Sequence, residues 1–531
     1  MAFFSSVPVV DVHRENFKSL WPGLMLAIRS CSYIALDAEL SGLGNRKNLL
    51  TRSMEERYHS LAEVAKTRSI LSLGISCFKV RPQPMESKDL GLRFLAQTFN
   101  ITTLCSEDYV VEPGSLKFLV DHGFDFNKQY ASGVPYCRGV DKEGETEAED
   151  SQTLRALFSE LVKSSKPVVF HNGLVDLVFL YQNLYSQLPT ALPQFISDLC
   201  EIFPAGIFDT KFLAEFEARM PASYLEYAFR KSQRANAHLA TRGQQHVAME
   251  FCQFENSSSV GFHRCGLPPS FTIRGGARGE ERKTVELCET YAAHGHCKNG
   301  IRCPKSHDPD AIQDADDQRE ERQKRKRKRK RQKRQYDLKD GSPNAKKDKD
   351  EDDSCHGDRE MDDDDEADTG KDQDEADTGK DQDEIDEKKE SNSHGEDSEP
   401  KSAYGRGQGA DILKIDQGGN EDSSTSLGQR DAASPQKLPK QTGGHRAGYD
   451  AFMTGFVLAT VASNVAGRSG PSQPTDRETG QEFVQAFGLT EFRNRLFLSA
   501  KTVPLIIAKS KYAKTSQHHR QKMKQLGINP T

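Results

Sequence analysis

The sequence predicts an α/β fold that is interrupted by a long insert carrying a small Cys/His finger. Three observations predict it. Over residues 1–255, apolar runs of strand length alternate with segments of helical spacing; the pattern stops ahead of a Cys/His cluster at 288–307 and a charged low-complexity tract; and apolar periodicity resumes at 443. Composition agrees with such a mixture: of 531 residues 35% are hydrophobic and 29% charged, with a mean hydropathy of −0.71. That is too polar for one chain packed throughout. The net charge of −6 averages opposing blocks and points to no class of partner.

Taken in order, "SYIALDAEL" (32–40) and "ILSLGISCFKV" (70–80) read as strands, and "MEERYHSLAEVAK" between them has helical spacing. "PVVFHN" (167–172) is a short buried strand whose Asn172 is placed to cap the helix "GLVDLVFLYQNLY". "GIFDTKFLAEF" (206–216) repeats that strand-to-helix turn. From about Ser257 the periodicity fades. Residues 311–442 are expected to be a disordered linker, with a basic run at 324–334 and acidic repeats at 348–400; "EADTGKDQD" occurs twice in tandem without any apolar residue larger than Ala. The segment 443–510 is too short for a robust core of its own, so it is expected to complete the first domain, and 511–531 is expected to be a basic tail. A long insertion is tolerable because closure entropy grows only logarithmically with length.

The acids carry the chemistry. In a strand, residues i and i+2 share a face, so Asp37 and Glu39 project together from an otherwise apolar segment. Like charges so placed are costly unless cations neutralise them, and hard divalent ions with oxygen ligands are the common remedy. Asp176 lies in the first turns of a helix just after a strand, the edge where α/β sheets place ligands. Asp450 stands at the entrance to the apolar helix that follows it. His445, five positions earlier and behind Gly443 and Gly444, belongs on a loop that swings over the site. Asp209 is read as an N-cap.

"IALDAEL", "FHNGLVD" and "HRAGYD" together resemble the three exonuclease motifs of the DEDD superfamily, in the subgroup with a histidine before the last Asp. Similarity is greatest to deadenylases of the poly(A)-specific ribonuclease and CCR4-associated type, with "SLKFLVDHGFDFNKQYASGVPY" (115–136) and "FDTKFL" matching nearly position by position. The resemblance implies a ribonuclease H-like exonuclease domain. It implies that Asp37, Glu39, Asp176 and Asp450 hold two Mg²⁺ ions, that His445 is the general base, and that Asp209 is no ligand. It further implies removal of adenosines from RNA 3′ ends as mononucleotides, with nuclear substrates that extend to small nuclear RNA 3′-end processing and a location in nuclear bodies. A non-catalytic RNA-binding scaffold is the alternative, which retention of the acids and the histidine argues against. A DNA-directed exonuclease is a third reading.

Cys288, Cys297, Cys303 and His307 have the spacing C-x8-C-x5-C-x3-H, a closed tetrahedral donor set that suits structural Zn²⁺. The finger, 284–310, resembles the CCCH class that binds single-stranded RNA. Tyr291 offers a ring for base stacking and Lys298, Arg302 and Lys305 offer cations for phosphates. A protein-binding finger is the competing reading. The unbroken run Lys324, Arg325, Lys326, Arg327, Lys328, Arg329, Lys330, Arg331 is dense enough for a nuclear import receptor or an RNA clamp. Eleven cysteines and an N-terminal stretch without a basic n-region lead us to expect a reducing compartment, and Ala451 to Val465 reads as a buried helix with no membrane role.

Overall fold

A mixed sheet of 11 strands organises the molecule, in the order β11-β10-β7-β6-β2-β3-β4-β1-β9, with β5 and β8 joined to β4. In chain order these are β1 (Ser6–Val12), β2 (Tyr33–Leu40), β3 (Ile70–Arg81), β4 (Gly91–Cys105), β5 (Val134–Tyr136), β6 (Val168–Phe170), β7 (Ile207–Asp209), β8 (His246–Phe251), β9 (Val260–Arg264), β10 (Arg495–Leu496) and β11 (Leu505–Ile506). The computed structural model describes residues 3–45, 47–82, 90–139, 152–254, 258–268, 286–339, 446–469 and 480–528; side chains are described to 332 and to 467 in the helices that end at 339 and 469. β3 runs antiparallel to both neighbours, β2 and β4, while β2, β6 and β7 are mutually parallel. This is the ribonuclease H-like α/β arrangement that the resemblance implied.

Alternation along β2 divides the core. Ile34 and Leu36 point into one apolar cluster, shared with the helices Arg14–Ser30, Met54–Thr67 and Leu192–Ile202. Tyr33 and Ala35 point into the other, shared with the helices Leu225–Thr241 and Ala447–Ser469. By the same parity Asp37 and Glu39 face the Ala447–Ser469 side. That helix lies on β2, β3 and β4 with Ala451, Phe452, Phe456, Leu458 and Ala459 fully buried. Among the described residues no helix is long and apolar enough to cross a membrane.

Four features depart from the sequence expectations. β9 pairs with β1, so the sheet draws on residues beyond 255. Residues 311–339, assigned to a disordered linker, belong to one helix, Pro309–Lys339. Its first turns are fixed to Leu225–Thr241: Arg230 and Arg234 pair with Asp310, Arg234 also with Asp314, and Lys231 with Asp317. Tyr227 donates to Asp316, and the wholly buried Gln313 donates to the Tyr227 carbonyl. The tail beyond 511 also folds back. Its helix Gln517–Gln525 buries His519 completely, held by Glu201 at 2.9 Å and by the Tyr185 hydroxyl at 2.8 Å. Finally, Asn172 does not cap: it takes the left-handed conformation (φ 64°), and Gly173 is the cap position. The acidic repeats at 348–400 and the rest of the linker from 340 to 442 lie outside the described residues.

Candidate active site

Asp37 is paired in register with Gly74 of β3, and Glu39 follows on the same face. Above them sits the first turn of Ala447–Ser469, which carries Asp450. Carboxylate oxygens of Asp37, Glu39 and Asp450 lie within 4.8 Å of one another. Two glycines permit that approach. A Cβ on Gly74 would meet the Ala447 carbonyl oxygen at 1.8 Å, and one on Gly448 would meet Asn100 at 2.8 Å. In place of those clashes the Gly448 amide donates to Asn100 Oδ1 at 3.1 Å, and the Tyr33 hydroxyl donates to the Gly455 carbonyl at 2.8 Å. The helix backbone therefore rests directly on the sheet, and Asp450, 4% exposed, is delivered to the end of β2.

Asp176 is in the first turn of Leu174–Leu180 and lies outside the 4.8 Å group. It belongs to the same electrostatic neighbourhood. Burial pushes the Asp37 carboxyl well above the usual carboxylate range, and the charges of Asp450, Asp176 and Glu39 push it further. Burial likewise raises Asp176 to about 7, helped by the Asp209 charge and opposed by backbone amides including that of Ala38, between the two β2 acids. His445 lies outside the described residues. Its neighbour Arg446 is anchored by an ion pair with Asp11.

Asp209 has a larger part than a simple cap. Its carboxylate accepts from the amides of Lys211 and Phe212 in its own helix, from Asn172 and Gly173 in the turn leading to Asp176, and from Phe497 beside β10. One wholly buried side chain thus ties the Asp176 turn to β7 and to the returning C-terminal segment. Nothing in "FDTK" beyond the cap signal announces this. His171 was also passed over. Its Nδ1 meets Thr210 Oγ1 at 2.9 Å, its buried Nε2 has no side-chain hydrogen-bond partner among the described residues, and burial lowers its pKa to about 3, with the Lys211 charge adding to the effect.

Donor chemistry and spacing suit hard cations at the acids: an oxygen-only set, closely spaced and mutually repulsive, is what divalent ions neutralise. In the finger, ligand atoms of Cys288, Cys297, Cys303 and His307 also lie within 4.8 Å of one another, which fits one tetrahedral Zn²⁺. His307 Nε2 is buried without a hydrogen-bond partner among the described residues, as a nitrogen reserved for a metal would be. The finger is docked, however, and Tyr291 with it. Its ring stacks on His307 at 4.2 Å and 6°, meets Tyr224 edge-on, and its hydroxyl donates to Glu226 at 3.2 Å. That side chain is committed to holding the finger to the Leu225–Thr241 helix, and Lys305 is paired with Glu286. Lys324 to Arg331 are exposed on the Pro309–Lys339 helix.

The model for CAF1 family ribonuclease matches residues 12–148 and 140–458, more than half of the chain. The chain belongs to the CAF1 ribonuclease family. Within and near that family it is similar to an uncharacterized protein of Schizosaccharomyces pombe, 29% identical over 25% of this chain and 31% of the relative. It is similar to the human poly(A)-specific ribonuclease PARN, 27% identical over 35% of this chain and 27% of PARN. The pre-piRNA 3′-exonuclease trimmer of Bombyx mori is 26% identical over 25% of each chain. The match therefore spans less than a third of the length of each of these relatives. Among solved structures, Pop2p of S. pombe in its Mg²⁺- and Mn²⁺-bound form overlaps 43% of this chain and 82% of its own, at 18% identity and a TM-score of 0.32.

Proposed function

We propose that this CAF1-family chain is a Mg²⁺-dependent 3′-to-5′ exoribonuclease that shortens adenylated 3′ ends of nuclear RNAs, small nuclear RNA precursors among them, and releases mononucleotides. The observation that carries the proposal is the meeting of the Asp37, Glu39 and Asp450 carboxylates within 4.8 Å, although they come from opposite ends of the chain. A protein without chemistry to perform has no reason to hold like charges together at the end of a buried strand. Asp37, Glu39, Asp176 and Asp450 would hold two Mg²⁺ ions, which when bound supply a nucleophile from water near neutral pH and compensate charge on the departing 3′ oxygen. His445 takes the proton of the attacking water, a role suited to an imidazole with an ordinary pKa near 6.5. Asp209 keeps the Asp176 turn in place.

PARN and the trimmer are named for acting on poly(A) and on RNA 3′ ends, which supports the substrate class. The exposed run Lys324–Arg331 supports entry to the nucleus through an import receptor. Zn²⁺ on Cys288, Cys297, Cys303 and His307 would be structural. The test is digestion of 3′-labelled RNA ending in A, U or C by wild type and Asp37→Ala, with Mg²⁺ present or withheld. Label release as single nucleotides, fastest from A and lost in Asp37→Ala, is expected. No release by wild type would refute the assignment and leave an RNA-binding scaffold, and equal release by both proteins would refute the assignment of the reaction to these acids.

A further inference from the structure

Two large apolar side chains stand exposed outside the acidic site on facing surfaces: Phe118, 44% exposed, and Ile301, 68% exposed. Phe118 belongs to the helix Pro113–Asp121 of the nuclease core and Ile301 to the turn Gly300–Arg302 of the finger. Both line one cleft of about 660 Å³ between these elements. Lys117, Phe118 and His122 form its wall on the helix, and Lys298, Ile301 and Arg302 form its wall on the finger. The Phe118 and His122 rings lie 4.1 Å apart, tilted by 39°. Lys117 is paired with Asp121 within the same wall, whereas Lys298 and Arg302 enter no ion pair among the described residues.

We propose that this cleft holds the single-stranded RNA just upstream of the 3′ end, so that the nuclease helix and the finger grip one strand between them. The proposal rests on the exoribonuclease reading for the direction of that strand. Rings and aliphatic surface interleaved with cations match a ligand that carries both base faces and phosphates, whereas an acidic peptide would use the cations and leave the rings idle. The helix wall is also joined to the acids. Its cap residue Glu112 accepts from the amides of Leu43 and Gly44 and donates its own N–H to the Ser41 carbonyl, in the loop that leaves β2 just beyond Glu39. With 9 residues the helix is about 13 Å long. That is the span of roughly four bases at 3.4 Å each. Since Tyr291 is committed to docking, stacking in the cleft falls to Phe118 and His122.

Binding of 5′-fluorescein-labelled 20-nucleotide oligo(A) to the full chain, with its finger metal bound and no Mg²⁺ added, tests this without hydrolysis. Phe118→Ala and Ile301→Ser should each weaken binding about ten-fold, the scale of one lost base stack. Phe118→Tyr should restore it, and the double variant should depart from the product of the single effects, as expected of groups gripping one ligand. Affinity within two-fold of wild type in both single variants would overturn the proposal. Should a variant lose its zinc or its melting transition, cross-linking of wild type to oligo(A) carrying single 4-thiouridines gives the answer. Adducts on both 113–122 and 295–302, from positions within about four nucleotides of each other, are expected. Adducts on the finger alone, or none in the cleft, would overturn it and mark the cleft as a protein-facing surface. Intact binding and cross-linking with no label release in Mg²⁺ would sink the nuclease reading instead, and leave the cleft an RNA site.

Discussion

The acidic site and the finger are built in opposite ways. The acids arrive from β2, from the helix after β6 and from the helix Ala447–Ser469, and each is fixed by a large apolar core on both sides of the sheet. The finger takes all its ligands from residues 288–307, has three fully or nearly buried apolar residues beneath it (Ala222, Tyr227, Ile312), and meets the core through the Tyr291 ring on Tyr224 and the Tyr291 hydroxyl on Glu226, with ion pairs to the Leu225–Thr241 helix starting at Asp310 just after it. Position is secured by packing in the first case and by polar and charged contacts in the second. The two regions should therefore fail differently when perturbed.

The largest effect should come from Asp37→Ala. Hydrolysis of 3′-labelled oligo(A) should fall by on the order of 10³-fold or more, as when one member of a group acting as a unit is removed. The metal-free protein should at the same time melt no lower than wild type, because a carboxyl crowded by burial and three like charges is gone. Lower stability alongside the lost activity would show that the acid is structural. Gly74→Ala should come next. The added methyl meets the Ala447 backbone, which cannot swing aside like a side chain, so the first turn of the helix must lift and take Asp450 with it. We expect about 10²-fold less hydrolysis and about 1–3 kcal/mol less stability by denaturant unfolding. Gly295→Ala in the finger (φ 67°) should leave hydrolysis of a trinucleotide unaltered, and a comparable loss there would erase the contrast.

These two glycines show where the sequence was legible and where it was not. Asp37 and Glu39 could be read because strand period alone puts i and i+2 on one face, and Asp450 because an apolar helix follows it. Gly74, in a strand otherwise indistinguishable from a good β-former, gives no sign that another backbone will cross it. The five-amide role of Asp209 was hidden for the same reason, since three of its partners come from remote segments. The Pro309–Lys339 helix was taken for linker because it is polar all round. What orders its start is complementarity between its aspartates and Arg230, Lys231 and Arg234 of a helix some eighty residues earlier, a pairing that no local pattern displays. Tyr291 shows the converse: its residue type suggested stacking on a base, but its neighbours use it to hold the finger in place.

A smaller effect separates the two regions by titration. The folded-state pKa of Asp176 is raised to about 7, and that of Asp37 is raised as well, whereas in the unfolded chain both titrate near 4. Between those values each of these two carboxyls binds more protons in the folded metal-free protein than in the unfolded chain, so its contribution to stability falls as pH rises above about 4, that of Asp176 levelling off near 7. Buried His171, with its folded pKa lowered, contributes with the opposite sign over the same range, so the acids are read from the difference between Mg²⁺-saturated and metal-free protein. In calorimetric melting, the stabilisation by saturating Mg²⁺ should grow from about pH 4 to about pH 7, because bound cations replace the protons. That growth should persist in a Cys297→Ser chain. A pH-dependent stabilisation given by Zn²⁺ but not by Mg²⁺ would move its origin to the finger.

The smallest effect on catalysis should come from the basic run. Lys324–Arg331 project into solvent beyond the part of the helix that is docked, so replacing them with glutamines disturbs no core packing and should leave the melting temperature and trinucleotide hydrolysis unaltered. For a long oligo(A), the slope of log affinity against log salt should shrink by about 0.7 for each phosphate no longer neutralised. Arg234→Ala makes the matching test of the docked part, since it removes a partner that Asp310 and Asp314 share while leaving every cation of the run in place. Hydrogen exchange over 309–317 should quicken, and the salt slope should stay as in wild type if the run reaches RNA as a tethered charge, but should shrink with the glutamine variant's if the run must be held rigidly on the core to meet the strand.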